Sequence, residues 1–196
     1  MDESFLAGVI VDHTPHALVA VDREGLVRFW NAGATTLYGH EAIDALGRRW
    51  IDLFGDPPPE GPAATAEVVR RCRNGALIYV QSCHRWLPGN SDLAAGLLFS
   101  DVDVTPLRVQ REAQLVEERY GRLLESMPDA IVVADPIGRI VHVNAQAQQI
   151  FGYRSAALLG DVIERLLPAR TRAAHVGLRD AYLASPRTRP MGQGLA

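Results

Sequence analysis

The chain has 196 residues, room for one large or two small domains, and 47% of them are hydrophobic, enough for a buried core. Its net charge of −3 argues against direct nucleic-acid binding, and the acidic start Met1–Ser4 does not read as a signal peptide. The longest apolar run, Leu93–Phe99, is far too short to cross a bilayer, so no membrane span is expected and the cytoplasm is the expected compartment.

In chain order, Ala17–Val21 is a short β-rich run, Asp22–Gly25 a turn, and Leu26–Trp30 a second run, which together predict a hairpin. Asn31 stands where a helix N-cap is needed, and Gly39 where the helix stops. A second short helix runs to Gly47. The prolines of Pro57–Pro62 exclude helix and central strand, so this stretch is a loop. Ala64–Arg73 and Ala76–Leu87 read as strands joined at Asn74-Gly75 by a type I′ turn. Gly89–Ser91 turns again, and Leu93–Val102 is a last strand. The order predicts an α+β fold, a five-stranded antiparallel sheet with short helices on one face. A two-residue loop at Asn74-Gly75 pairs Cys72 with Leu77 and leaves Cys83 about six rungs further along the ladder. The two cysteines then lie roughly 20 Å apart, beyond any disulfide. They have no metal-ligand spacing either, so buried free thiols are expected.

Pro106–Met127 reads as one helix, with proline well placed in its first turn. Val109, Ala113, Val116, Tyr120, Leu123 and Met127 recur in steps of four and three, with Arg111, Glu112, Glu117, Glu118 and Arg122 off that seam. The seam predicts a dimerising helix and a homodimer. The competing reading is a helix packed on its own domain, in which Gly121 is a weak point.

Beyond the helix the sequence repeats. Thr14–Phe54 lies over Met127–Leu167 at a constant offset of 113 with no gap: Pro15 on Pro128, Asp22 on Asp135, Gly25 on Gly138, Asn31 on Asn144, Gly39 on Gly152 and Gly47 on Gly160. These are turn and cap residues, where backbone geometry limits the choice.

The segments Leu18–Ala32 and Ile131–Ala145 each resemble the opening of a PAS domain. Phe151-Gly152-Tyr153 with Leu159-Gly160, Asp103-Val104-Thr105 before the helix, and Pro186–Gly192 are similar to further stretches of that family. The resemblance implies a first PAS domain over 1–105, a linking helix over 106–127 and a second PAS domain over 128–196. A complete module would carry three more strands after this second copy. Their absence implies truncation, completion of the sheet by a partner, or poor order.

PAS ligands lie between the sheet and the helix before the third strand. In the first copy the proline loop stands in place of that helix and shrinks the room for heme or flavin. The Asn-Cys-Arg-Phe-Leu-Gln segment of light-sensing flavin modules is absent, which excludes that cofactor type. Alternation puts Ile78, Val80, Ser82, His84 and Trp86 on the face toward the family's pocket. The register above sets Glu67 opposite Ser82 and Thr65 opposite His84. A Glu67–His84–Ser82 network beside Trp86 is therefore a candidate ligand site, against the plainer reading of a satisfied core histidine. His175 lies in a segment similar to the helix carrying the axial histidine of heme-binding PAS sensors, though many heme-free members share it.

Motifs for phosphate-binding loops, nucleophile elbows and zinc proteases are all lacking, so no enzyme activity is expected. The resemblance implies a sensor, responsive to a small molecule or a partner, feeding a kinase, cyclase, phosphatase or transcription regulator. The alternative is a ligandless dimerisation scaffold.

Overall fold

The computed structural model describes residues 3–61, 63–89 and 95–184. The sequence readings at Pro62, Asn90–Ser91 and Pro186–Gly192 lie outside them. The chain divides into two compact units, Met1–Thr105 and Pro106–Ala196.

The first unit runs α1 (Glu3–His13), β1 (Ala17–Asp22), β2 (Val27–Trp30), α2 (Ala32–Tyr38), α3 (Ala42–Ala45), α4 (Trp50–Phe54), β3 (Ala63–Arg71), β4 (Leu77–Leu87) and β5 (Gly96–Asp103). The strands form one antiparallel sheet in the order β2-β1-β5-β4-β3. Alternating strand residues Val19, Val21, Val27, Ile78, Val80, Leu97 and Phe99 are buried with Ala34, Tyr38, Trp50, Leu53 and Phe54 of the helices. The fold class and the proline loop follow the sequence reading. Helices α1 and α4 do not figure in it.

The β3–β4 register corrects the sequence reading. Arg71 pairs with Leu77, and Cys72 N–H donates to the Ala76 carbonyl at 2.8 Å, so the turn holds three residues, Arg73-Asn74-Gly75. Only Gly75 has positive φ (83°), whereas a type I′ turn needs it at Asn74 as well. The extra residue is absorbed by glycine in the left-handed region, as in a bulged hairpin. Every expected pair shifts by one: Glu67 faces Gln81, Thr65 faces Cys83, and Ala64 faces His84. Cys72 and Cys83 are half-buried and form no disulfide, and the Cys72 thiol donates to the Leu37 carbonyl at 3.4 Å.

Helix α5 spans Thr105–Ser126. The second unit continues with β6 (Val132–Ala134), β7 (Ile140–Val143), α6 (Ala145–Phe151), α7 (Ser155–Leu158), a 3-10 turn at Ile163–Leu166 and α8 (Ala169–Ala184). Among the described residues its sheet is the two-stranded β6–β7 hairpin. Its buried core is small: Ile140, Val143, Ala147 and Leu158, flanked by Val132, Ile163 and Leu166.

The repeat is structural, and it reaches further back than Thr14. At the same offset α1 corresponds to the C-terminal half of α5, and α4 to the 3-10 turn. The two hairpin turns diverge electrostatically. Asp22 Oδ1 accepts from the Leu26 N–H (2.8 Å) and Glu24 N–H (3.1 Å), and Oδ2 meets Arg28 Nε at 2.6 Å. Burial opposes ionisation there, but the Leu26 N–H and Arg28 outweigh it and hold the carboxyl below its ordinary range. Asp135 keeps the backbone bonds (2.7 and 3.0 Å to Arg139 and Ile137 N–H), but Val141 stands in the place of Arg28, and Oδ2 is buried without a partner. Burial, with Glu112 adding repulsion, pushes Asp135 up.

Opposite outcomes follow for one substitution. Asp22→Asn is expected to cost about 1 kcal/mol at neutral pH, a loss that vanishes as pH falls through the depressed Asp22 pKa. Asp135→Asn keeps the backbone acceptor and removes a poorly solvated charge. It is expected to stabilise the second unit above the ordinary carboxylate range. Urea titrations across pH check both, and equal effects at the two sites would contradict the assignment.

Candidate functional site

The inner face of β4 carries Ile78, Val80, Ser82 and His84, all buried. Glu67 is exposed and faces Gln81 rather than Ser82. Trp86, at the strand end, is 42% exposed beneath the Arg23 guanidinium, 5.4 Å from its ring centroid. The expected Glu67–His84–Ser82–Trp86 site therefore does not assemble. Only Ser82 and His84 point inward, and their polar neighbour comes from β5, where Ser82 faces Asp101 and His84 faces Phe99.

Asp101 is fully buried. Tyr38 Oη, at the end of α2, donates to its Oδ2 at 2.5 Å. Arg70 enters from β3, 3% exposed, with its guanidinium over the rings of Trp50 (5.1 Å) and Phe54 (5.3 Å). Its NH1 donates to both oxygens of Asp56 at 2.9 and 2.7 Å. Trp50 stacks on Phe99 (4.1 Å, 27°), and Phe54 meets Trp50 at 4.4 Å and Tyr38 at 4.8 Å. Aromatic rings thus fill the space between sheet and helices. Among them four buried polar atoms have no partner: Trp50 Nε1, Arg70 Nε, His84 Nε2 and Asp101 Oδ1. Burial pushes the Asp101 carboxyl up, against the Ser82 and Tyr38 hydroxyls, the Arg70 charge and His84. Burial, then the Asp101 charge, holds the Tyr38 phenol far above its ordinary range, so it stays a donor.

A second polar feature recurs in both units. Asn31 is 1% exposed, and its side chain makes four bonds: Oδ1 accepts from Leu18 N–H (2.9 Å) and Ala34 N–H (2.8 Å), and Nδ2 donates to the Val11 and His16 carbonyls (both 3.0 Å). Asn144 repeats all four with Ile131, Ala147, Leu124 and Asp129. Each asparagine caps one helix and ties the preceding helix to the hairpin. Gly39 and Gly152 close the capped helices in the left-handed conformation.

Two family models match the chain. The one described as PAS fold matches residues 11–92, and the one described as PAS domain matches residues 118–181. The chain belongs to the PAS family. Similar solved structures include a PAS domain from Colwellia psychrerythraea, at 23% identity and TM-score 0.47, covering 54% of this chain and 99% of that one. The PAS domain of nitrogen regulation protein NR(II) from Vibrio parahaemolyticus is 15% identical at TM-score 0.45, covering 50% and 97%. A PAS domain from a two-component sensor histidine kinase is 11% identical at TM-score 0.47, covering 52% and 96%. No curated protein matches the chain.

The remaining sequence-predicted residues lie in the second PAS unit. His175 on α8 places Nδ1 3.0 Å from Oε1 of the buried Glu164, whose two oxygens also take Arg179 at 2.7 Å. A carboxylate and a guanidinium line this spot, where a heme ring needs apolar walls, so the residues present do not fit that group. Among the described residues no cluster of three or more His, Cys, Asp or Glu could hold a metal ion, and no helix is long and apolar enough to cross a membrane. The expected dimer seam is split. Val109 is buried against the backbone near Gly160, Ala113 and Val116 are half-buried, and Tyr120 and Leu123 are more than half exposed. The seam's first residue therefore packs within its own unit, as the competing reading had it.

Sequence reasoning overlooked Tyr38, Trp50, Arg70 and Asp101. The signal for two of them is alternation. Val68 and Arg70 share a face in β3, as do Leu97, Phe99 and Asp101 in β5, so each charge sits at an inward position.

Proposed function

We propose that this chain is a non-enzymatic sensory signalling module, in which the buried Arg70–Asp101–His84 cluster of the first unit registers the input and α5 carries the output to a downstream effector. One observation supports it above the others: α5 is fastened at both ends. At its start, Thr105 N–H donates to Asp103 Oδ1 (2.8 Å) and Thr105 Oγ1 accepts from Tyr79 N–H (2.9 Å), on the same strand β4 that carries Ser82 and His84. At its end, Asn144 grips the Leu124 carbonyl. A repacking at Asp101 thus has a short covalent and hydrogen-bonded route to the helix. Exposed Tyr120 and Leu123 are the part of the seam left for a second copy.

Hydrogen exchange on His84→Leu and Ser82→Ala tests the coupling. Amides of 105–109 are expected to change their protection while those of β1 and β2 keep theirs. Unaltered α5 exchange in both variants would end the proposal. The aromatic filling of the first unit favours the second reading, a ligandless dimerisation scaffold. Native mass spectrometry separates the two: a retained small molecule supports the sensor, and a clean apo dimer supports the scaffold.

A further inference from the structure

The second unit holds a cavity of about 320 Å³ where α5, β7, α6 and α7 meet. The polar side chains along it are Gln114, Glu117, Glu125, His142, Gln148 and Ser155, and Val141 and Leu159 supply apolar wall. Both charged groups among the lining residues are carboxylates, so the cavity favours a cation. Three of the polar side chains are held in place: Glu125 Oε2 accepts from Ala145 N–H at 3.0 Å, Gln148 Oε1 from Ser155 N–H at 2.8 Å, and Gln114 donates to Glu118 at 2.9 Å.

Glu117 and His142 are different. They approach at 3.6 Å, too long for a hydrogen bond. His142 is 7% exposed, and its Nε2 is buried without a partner. The tautomer that turns Nδ1–H toward Glu117 leaves Nε2 an acceptor in need of a donor. Gly121 shapes the spot: a Cβ there would come 2.5 Å from the Glu117 carboxylate. Glycine inside a helix costs about 1 kcal/mol against alanine, and here it leaves room for that carboxylate. The pair also has no counterpart in the first copy, where the same positions hold Ser4 and Phe29. It is an addition to the repeated scaffold.

A bare metal ion is a poor occupant, because no three ligating side chains converge among the described residues. We propose that this cavity binds a small aliphatic cation, an alkylammonium or alkylguanidinium, with its charged head at Glu117 and its alkyl stem along Val141 and Leu159. Such a ligand touches both α5 and the body of the second unit, so its binding tightens the hold on α5.

Calorimetry on the whole chain with n-butylguanidinium and n-butylammonium, at constant ionic strength and with sodium and magnesium chlorides as controls, tests this directly. Saturable binding of the organic cations tighter than about 1 mM is expected. Glu117→Gln should weaken it about tenfold or more, and His142→Phe, which installs the first copy's own residue, by a similar or smaller factor. Gly121→Ala should weaken it while raising the melting temperature, which separates loss of the site from loss of the fold. No saturable heat with either probe, or equal affinity in wild type and Glu117→Gln, would overturn the proposal. Because binding is read directly, failure here leaves the sensory reading standing.

Discussion

Replacing Asn144 by alanine is expected to remove about 3 kcal/mol or more from the second unit. The side chain is fully buried, and alanine would strand the N–H donors of Ile131 and Ala147 and the Asp129 carbonyl, and leave the Leu124 carbonyl only a long bond of 3.4 Å from the Met127 N–H. Each orphaned group costs about 1 kcal/mol or more, and the lost helix cap contributes within that sum. The core of this unit rests on Ile140, Val143, Ala147 and Leu158, so it has little to set against such a loss. Asn144→Asp is an informative companion. It keeps the acceptor but exchanges both donations for a carboxylate facing two carbonyls, so its loss should deepen as pH rises. Urea unfolding followed by circular dichroism, with hydrogen exchange over 120–126, checks both. A cost well under 1 kcal/mol for the alanine would mean that the network does not hold the helix. Asn31→Ala should show the same chemistry in the first unit, where a larger aromatic core makes the fold more tolerant of it.

Tyr38→Phe should cost the first unit about 2–3 kcal/mol at neutral pH, because it removes a 2.5 Å hydrogen bond to a buried carboxylate while leaving the carboxylate in place. The pH dependence identifies the cause. Burial raises the Asp101 pKa in the folded protein, so the folded state holds its proton more tightly than the unfolded one. Stability is then greatest below the ordinary carboxylate range and declines as pH rises through the raised folded value. Tyr38 is one of the groups opposing that rise, so phenylalanine extends the window upward and steepens the decline. The difference between variant and wild type should be small below the ordinary carboxylate range and grow as pH rises through the raised folded value. A loss independent of pH would assign Tyr38 a packing role alone. Asp101→Asn in the Tyr38→Phe background should recover part of the stability, since the uncompensated charge is then gone.

Much of this architecture was legible in the order of residues. The two hairpins, the asparagine caps and glycine stops could be read because they depend on local backbone geometry, and duplication at one constant offset excluded chance. The same local logic failed at Asn74-Gly75. That dipeptide suits a two-residue turn, but the strand pairing beyond it decides the loop length, and the sheet selected three residues. A shift of one residue moved Glu67 away from Ser82 and His84 and dissolved the expected site. The seam along α5 was legible only in part, for a related reason. Heptad spacing reports a continuous apolar stripe but not which partner covers it, and Val109 is covered by its own unit.

Local chemistry alone therefore determined that this chain carries two copies of a hairpin and capped helix joined by a longer helix, since turns, caps and alternation are properties of a few consecutive residues. Tertiary structure alone decided what lies inside them. Tyr38, Arg70, Trp50 and Asp101 come from four separate elements, and Glu117 and His142 from two more. Such groups become neighbours only when strand register and helix packing are settled, and those depend on the whole core rather than on any one segment.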